Sequence, residues 1–92
     1  MKKPTLAIHY CPGCKWLTRS TWMAQELLDT FATELEAVSL YPSEQSGVFK
    51  IEVDGTLIWD RVEDEGFPQI KELKRRVRDR IAPQKSLGHL DR

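Results

Sequence analysis

The sequence predicts an α/β chain in the order β-α-β-β-β-α, an α+β arrangement with a four-stranded mixed sheet and two helices on one face. Three observations carry this prediction. An alternating stretch over residues 5–10 is followed by a long segment of helical period and then a second strand, the pattern of a parallel βαβ unit. Asp54-Gly55 stands between two alternating runs, which is the strongest short-range hairpin signal. Pro68 and Pro83 bracket a final helical stripe.

Each element follows from its residues. Leu6, Ile8 and Tyr10 alternate with Ala7 and His9 in the first strand. Lys15 to about Leu35 reads as the first helix. Leu17, Ala24, Leu28, Phe31 and Leu35 fall on one stripe, with Leu27 beside it and Trp16 and Met23 flanking it. Trp22 points nearly opposite to that stripe at about 100° per residue. Ala37 to Tyr41 is a second strand closed by Pro42, and Ser43 to Gly47 is a polar loop.

Val48 to Val53 and Thr56 to Arg61 are the hairpin strands. A two-residue turn pairs Val53 with Thr56, Ile51 with Ile58 and Lys50 with Trp59. Phe49, Ile51, Val53 and Ile58 then join Leu6, Ile8, Val38 and Leu40 under the helices. The other face carries Ala7, His9, Ser39, Tyr41, Lys50, Glu52, Leu57 and Trp59, with no third helix to cover it. Val62 to Gly66 is an acidic loop. Ile70, Leu73, Val77 and Ile81 form the stripe of the last helix. From about residue 84 the chain is polar and reads as a loose tail.

Length and composition narrow the function. The 92 residues make one domain spanning 1–92, without repeats or a linker. A formal net charge of zero points to neither nucleic acid nor a membrane surface. The basic residues of the last helix, Lys71, Lys74, Arg75, Arg76, Arg78 and Arg80, read as a solvated face. No apolar run approaches the roughly 18 residues a membrane helix needs. Met1-Lys2-Lys3 leads into Pro4 and a short strand, not the apolar core of a signal peptide, so a cytoplasmic location is expected.

The chemistry sits in Cys11-Pro12-Gly13-Cys14, which contains the only two cysteines. In the turn between a strand and a helix start, such a pair is a redox arrangement. Helix N-terminal amides and their partial positive charge stabilise a thiolate, which is the form that attacks disulfides. The second thiol can resolve the mixed disulfide. A reversible Cys11–Cys14 disulfide is therefore expected. Its position before the first helical turn makes Cys11 the more exposed sulfur. Two other readings compete: an inert pair, and zinc, for which only His9 and His89 remain as further ligands unless two subunits share the site. Pro12 has the fixed φ of an early helix position, and Gly13 completes the turn. Lys15 could tune a thiol electrostatically, and His9 could shuttle a proton, though both also read as plain surface residues.

These residues carry a resemblance. Tyr10-Cys11-Pro12-Gly13-Cys14 follows the first strand, and Ser46-Gly47-Val48-Phe49 enters the hairpin. Val53-Asp54-Gly55 lies at its turn, and Gly66 precedes the last helix. On these the chain resembles the selenoprotein W-related family, the Rdx group to which selenoproteins T and H are related, and within it the bacterial cysteine-containing branch. The branch's chains run past the last helix, as Leu87-Gly88-His89 does here. The resemblance covers nearly the whole chain. It implies a reduced thioredoxin-like fold and a thiol-based redox role. In selenocysteine-containing members the selenium occupies the second motif position, Cys14 here, whereas thioredoxin-like usage makes the first cysteine, Cys11, the attacker and Cys14 the resolver.

The expected activity is thiol–disulfide exchange on protein or glutathione disulfides in cell redox homeostasis. No cofactor is expected, and glutathione or a thioredoxin-type protein is the expected reductant. The alternative is a binding module whose cysteines sense redox state and gate a partner contact. The uncovered face, through Leu57 and Trp59, is expected to serve a two-fold homodimer or a larger protein substrate.

Overall fold

A computed structural model describes residues 2–88 of the chain. It contains β1 (Thr5–Tyr10), α1 (Leu17–Thr30), β2 (Ala37–Pro42), β3 (Phe49–Val53), β4 (Thr56–Asp60) and α2 (Ile70–Ile81), in the predicted order. The four strands form one mixed sheet ordered β2-β1-β3-β4. β1 pairs with β2 in parallel, and with β3 antiparallel, Ile8 facing Ile51 and Tyr10 facing Phe49.

Both helices pack on one face, over a single core. Leu6, Ile8, Phe49, Ile51 and Val53 rise from the sheet to meet Met23, Leu27, Phe31, Leu73 and Val77, all essentially without exposure. Burial of this kind contributes roughly 1.5 to 3 kcal/mol per large aliphatic or aromatic side chain. It is what holds two short helices that would not persist alone.

The first helix is shorter than expected and turned slightly. Lys15 adopts φ 64°, outside the helical range, so the helix begins only at Leu17. After Thr30 the Phe31 N–H still donates to the Leu27 carbonyl, and Phe31 and Leu35 continue the core from a non-helical turn. The buried stripe is Ser20, Met23, Ala24, Leu27 and Phe31. Leu17 and Leu28, expected inside, are 48% and 42% exposed. Ser20 can replace a leucine there because its hydroxyl donates to the Trp16 carbonyl, which satisfies the polar group internally. Trp22 is exposed, as its angular position requires.

The hairpin turn is as expected, but its far end is not. Asp54 and Gly55 have φ 47° and 82°, the two positive angles of a type I′ turn. Val53 pairs with Thr56 and Glu52 with Leu57, and then the register slips, so that Ile51 faces Trp59. Ile58 is the extra residue of a β-bulge. The bulge carries Trp59 to the helix side, where it is buried and its indole N–H donates to the Gly66 carbonyl at 2.9 Å. The expected exposure of Trp59 is thus corrected, and the uncovered face keeps Leu57 and Tyr41, at 47% and 49% exposure.

Two further expectations change. The basic face of α2 is not wholly solvated: Lys74 is buried against Glu26 of α1, and Arg76 is engaged with Asp64 and Trp59. The start of the tail is not loose. Leu87 joins the core, Lys85 reaches Glu34, and the Arg78 guanidinium donates to the Lys85 carbonyl. His89 lies outside the described residues.

Candidate redox site

The site forms where β1 ends. Cys11 and Cys14 are joined in a disulfide, with their Cα atoms 5.3 Å apart. The connecting residues make a closed turn. The Lys15 N–H donates to the Pro12 carbonyl and the Trp16 N–H to the Cys11 carbonyl. The left-handed backbone of Lys15, costly for a residue with a Cβ, lets the chain close this turn before entering α1. Below it, the Ser43 N–H donates to the Tyr10 carbonyl at 2.7 Å and fixes the end of β1 against β2.

The polarisation of the sulfurs has a different source from the one expected. The cysteines lie before the helix and not in its first turn, so the nearest amide is that of the motif itself. The Cys14 N–H points at Cys11 Sγ, 3.2 Å away. Exposure also runs opposite to expectation. Cys11 is 3% exposed, whereas Cys14 is half-buried. The strand's alternation does not extend to Cys11, which follows inward-facing Tyr10 directly; Cys11 is covered because the turn begins there against the core, while Cys14 sits where the turn comes back to the surface.

Pro12, Gly13 and Lys15 are all exposed around the disulfide. A side chain at Gly13 would meet no atom within 4 Å, so the approach to the pair is open there. His9 is not brought to the cysteines. It lies on the uncovered sheet face, with Nε2 3.0 Å from Glu52 Oε1 and its ring stacked on Tyr41 at 5.0 Å.

An aromatic cluster that the sequence did not reveal adjoins the motif. Trp16 meets Phe67 edge-to-face at 4.8 Å, and Phe67 meets Phe49 at 5.0 Å. The Arg19 guanidinium lies 3.9 Å over Phe67, and that of Arg61 5.1 Å from the Trp16 ring centre. The only linear hints were an aromatic two residues after Cys14 and another just before Pro68.

The fold and the site together define a small α/β protein with a paired-cysteine centre at the end of its first strand. The chain belongs to the Rdx family, whose model matches residues 5–79. A protein of Bordetella parapertussis known by crystal structure is 51% identical, with a TM-score of 0.84; the match covers 87% of this chain and all of that one, 100%. A selenoprotein W-related protein from Vibrio cholerae is 47% identical with a TM-score of 0.81, over 85% of this chain and 96% of that one. No curated protein matches the chain significantly. The architecture is the reduced thioredoxin-like fold that the family resemblance implied. Family membership and the paired cysteines support a redox-related role. Among the described residues, no helix is long and apolar enough to cross a membrane.

Proposed function

We propose that the protein exchanges its Cys11–Cys14 disulfide with thiols of a partner, and that Cys14 is the sulfur through which partners enter. The supporting observation is the asymmetry of the pair: Cys14 is the more accessible residue, and its N–H is aimed at Cys11 Sγ. An incoming thiolate attacks Cys14 Sγ along the S–S axis. The Cys11–Cys14 bond breaks and its electron pair leaves on Cys11, where the Cys14 N–H receives the developing charge. A mixed disulfide now joins Cys14 to the partner. A second partner thiolate attacks the partner's own sulfur in that bond and releases Cys14, and the Cys11 and Cys14 thiolates each take up a proton. The partner dithiol, or a pair of glutathione molecules, becomes a disulfide, and the protein becomes a dithiol. Run in reverse, Cys14 attacks a partner disulfide and Cys11 resolves it.

This reverses the sequence-based preference for Cys11 as attacker and agrees with the position that selenium occupies in related chains. Serine variants test it. Cys11→Ser challenged with glutathione disulfide should accumulate a mixed disulfide at Cys14, seen by intact-protein mass spectrometry. Cys14→Ser should react at least about tenfold more slowly, because burial restricts access to Cys11. Faster trapping at Cys11 would reverse the assignment, and silence of both variants and the wild type would leave no exchange activity to assign.

A further inference from the structure

The ring contacts that begin beside the disulfide end in two guanidinium groups that have no carboxylate partner among the described residues. Trp16 is tied to the motif, since its N–H donates to the Cys11 carbonyl. Its ring carries Arg61 and touches Phe67, which carries Arg19. We propose that Trp16, Phe67, Arg19 and Arg61 form the contact surface for an acidic, cysteine-bearing peptide segment of the partner, with the two arginines binding its carboxylates. The proposal rests on the exchange reading above and names the class of substrate it would serve.

Among the described residues, Arg19 donates to no acceptor and forms no ion pair, although α1 leaves it exposed. Arg61 turns Nε and Nη2 to the Gly47 carbonyl, at 3.2 and 3.1 Å, and Nη1 meets no acceptor among the described residues. The contrast is Arg76, which also lies over a tryptophan but is bound to Asp64. Glu63 and Glu65, close to Arg61 in sequence, accept a hydrogen bond from neither arginine among the described residues. A guanidinium laid on a ring is held in plane, so less freedom is lost when its edge takes a carboxylate in bidentate fashion. Exposed Lys15 adds a third positive charge beside Cys14. Three cationic groups thus stand near the place where a thiol partner must arrive. Arginine with half-buried aromatics is also the composition of contact surfaces that recognise peptides.

The test uses the full chain in its oxidised form and capped, fluorescein-labelled peptides. Each has a serine in place of cysteine, flanked by aspartates, by lysines or by serines, and binding is read by anisotropy. The aspartate peptide should bind tightest. Arg19→Gln should weaken it by roughly threefold, the scale of one exposed charge pair. Arg19→Glu should reverse the order in favour of the lysine peptide. That variant is expected to fold, because an acidic residue suits the first turn of α1, and circular dichroism verifies it. Equal binding of the three peptides, or an unchanged order in Arg19→Glu, overturns the proposal. So does S-methylglutathione competing at lower concentration than the aspartate peptide, which would make the site one for a small thiol. Cysteine versions of the peptides, offered as disulfides to reduced protein, separate the two readings. Preserved charge preference without exchange defeats the exchange reading alone. Exchange without charge preference defeats the peptide surface alone.

Discussion

The guanidinium of Arg76 lies 4.3 Å over the ring of Trp59 and at the same time donates from Nη1 to the carbonyl of Ile58 at 2.8 Å. One α2 side chain therefore holds both the extra residue of the bulge, Ile58, and Trp59, which faces Ile51. Its Nη2 continues to Asp64 Oδ1 at 3.0 Å, in the loop that leads to Phe67. Through Arg76, the helix, the bulge and the segment carrying Phe67 are fixed to one another.

Arg76→Ala should therefore lower stability by about 2 kcal/mol, from charged hydrogen bonds of roughly 1.5 to 3 kcal/mol and a cation–π contact below about 1, discounted for partial exposure. Arg76→Lys should recover less than half, since one ammonium cannot serve the Ile58 carbonyl and Asp64 in the same geometry. Urea unfolding midpoints decide it. A loss below about 0.5 kcal/mol for Arg76→Ala would mean the bulge holds itself.

Asp64 gives the same cluster a pH dependence. Its carboxyl is held below the ordinary aspartate value, first by the Asp60 N–H that donates to it and then by Arg76, against a smaller opposing effect of burial. A carboxyl depressed in the folded state adds stability above the unfolded value, near pH 4, and loses it as pH falls through the folded value. Wild type should therefore exceed Asp64→Asn in stability at pH 6, with the gap closing toward pH 2. A gap that stays constant across thermal melts at these pH values would show that the charge of Asp64 does not matter.

The turn at Asp54-Gly55 makes a conformational prediction. Gly55 has φ 82° and a Cβ there would meet nothing within 4 Å, so any cost of substitution comes from backbone conformation and not from crowding. Gly55→Val should cost about 1 kcal/mol or more, whereas Gly55→Asn should cost clearly less, because asparagine tolerates the left-handed region. Equal costs for the two would separate the turn from stability.

What the sequence made legible were local features. Alternation in β1, the Asp54-Gly55 turn and the prolines around α2 each depend on neighbours in the chain, and each appears in the structure. The bulge does not, because it is a property of two paired strands. The run Leu57-Ile58-Trp59, three apolar residues without alternation, was its only trace. The rotated stripe of α1 was hidden because Ser20 counts as polar in any pattern, although its hydroxyl is satisfied by its own helix. The cysteine pair was found by its spacing and its place between a strand and a helix start, but its exposure was misjudged, since the left-handed Lys15 that delays the helix could not be read from the chain. The cluster of Trp16, Phe67, Arg19 and Arg61 joins three separate segments and left no periodic signal.

The pair Lys74 and Glu26 ties α2 to α1 and yields the last prediction. Lys74 Nζ lies 3.0 Å from Glu26 Oε1, with the lysine side chain 11% exposed and the glutamate 30%. Withdrawing the ammonium from water is costly, and its attraction to one partly wetted carboxylate offsets that cost only in part. The pair should then contribute little net stability, but its halves should not be equivalent. Glu26→Gln leaves a buried ammonium without its counter-charge, a loss of about 1 to 3 kcal/mol, at the lower end because Glu26 is partly solvated. Lys74→Met removes the charge and keeps the packing of the stem, and it should be neutral or stabilising, leaving Glu26 free to turn to water. The double variant should then resemble Lys74→Met, not the sum of the two single changes. Denaturant unfolding of the three variants measures this. If Lys74→Met proves as damaging as Glu26→Gln, the ion pair itself holds the two helices together, and the desolvation argument fails.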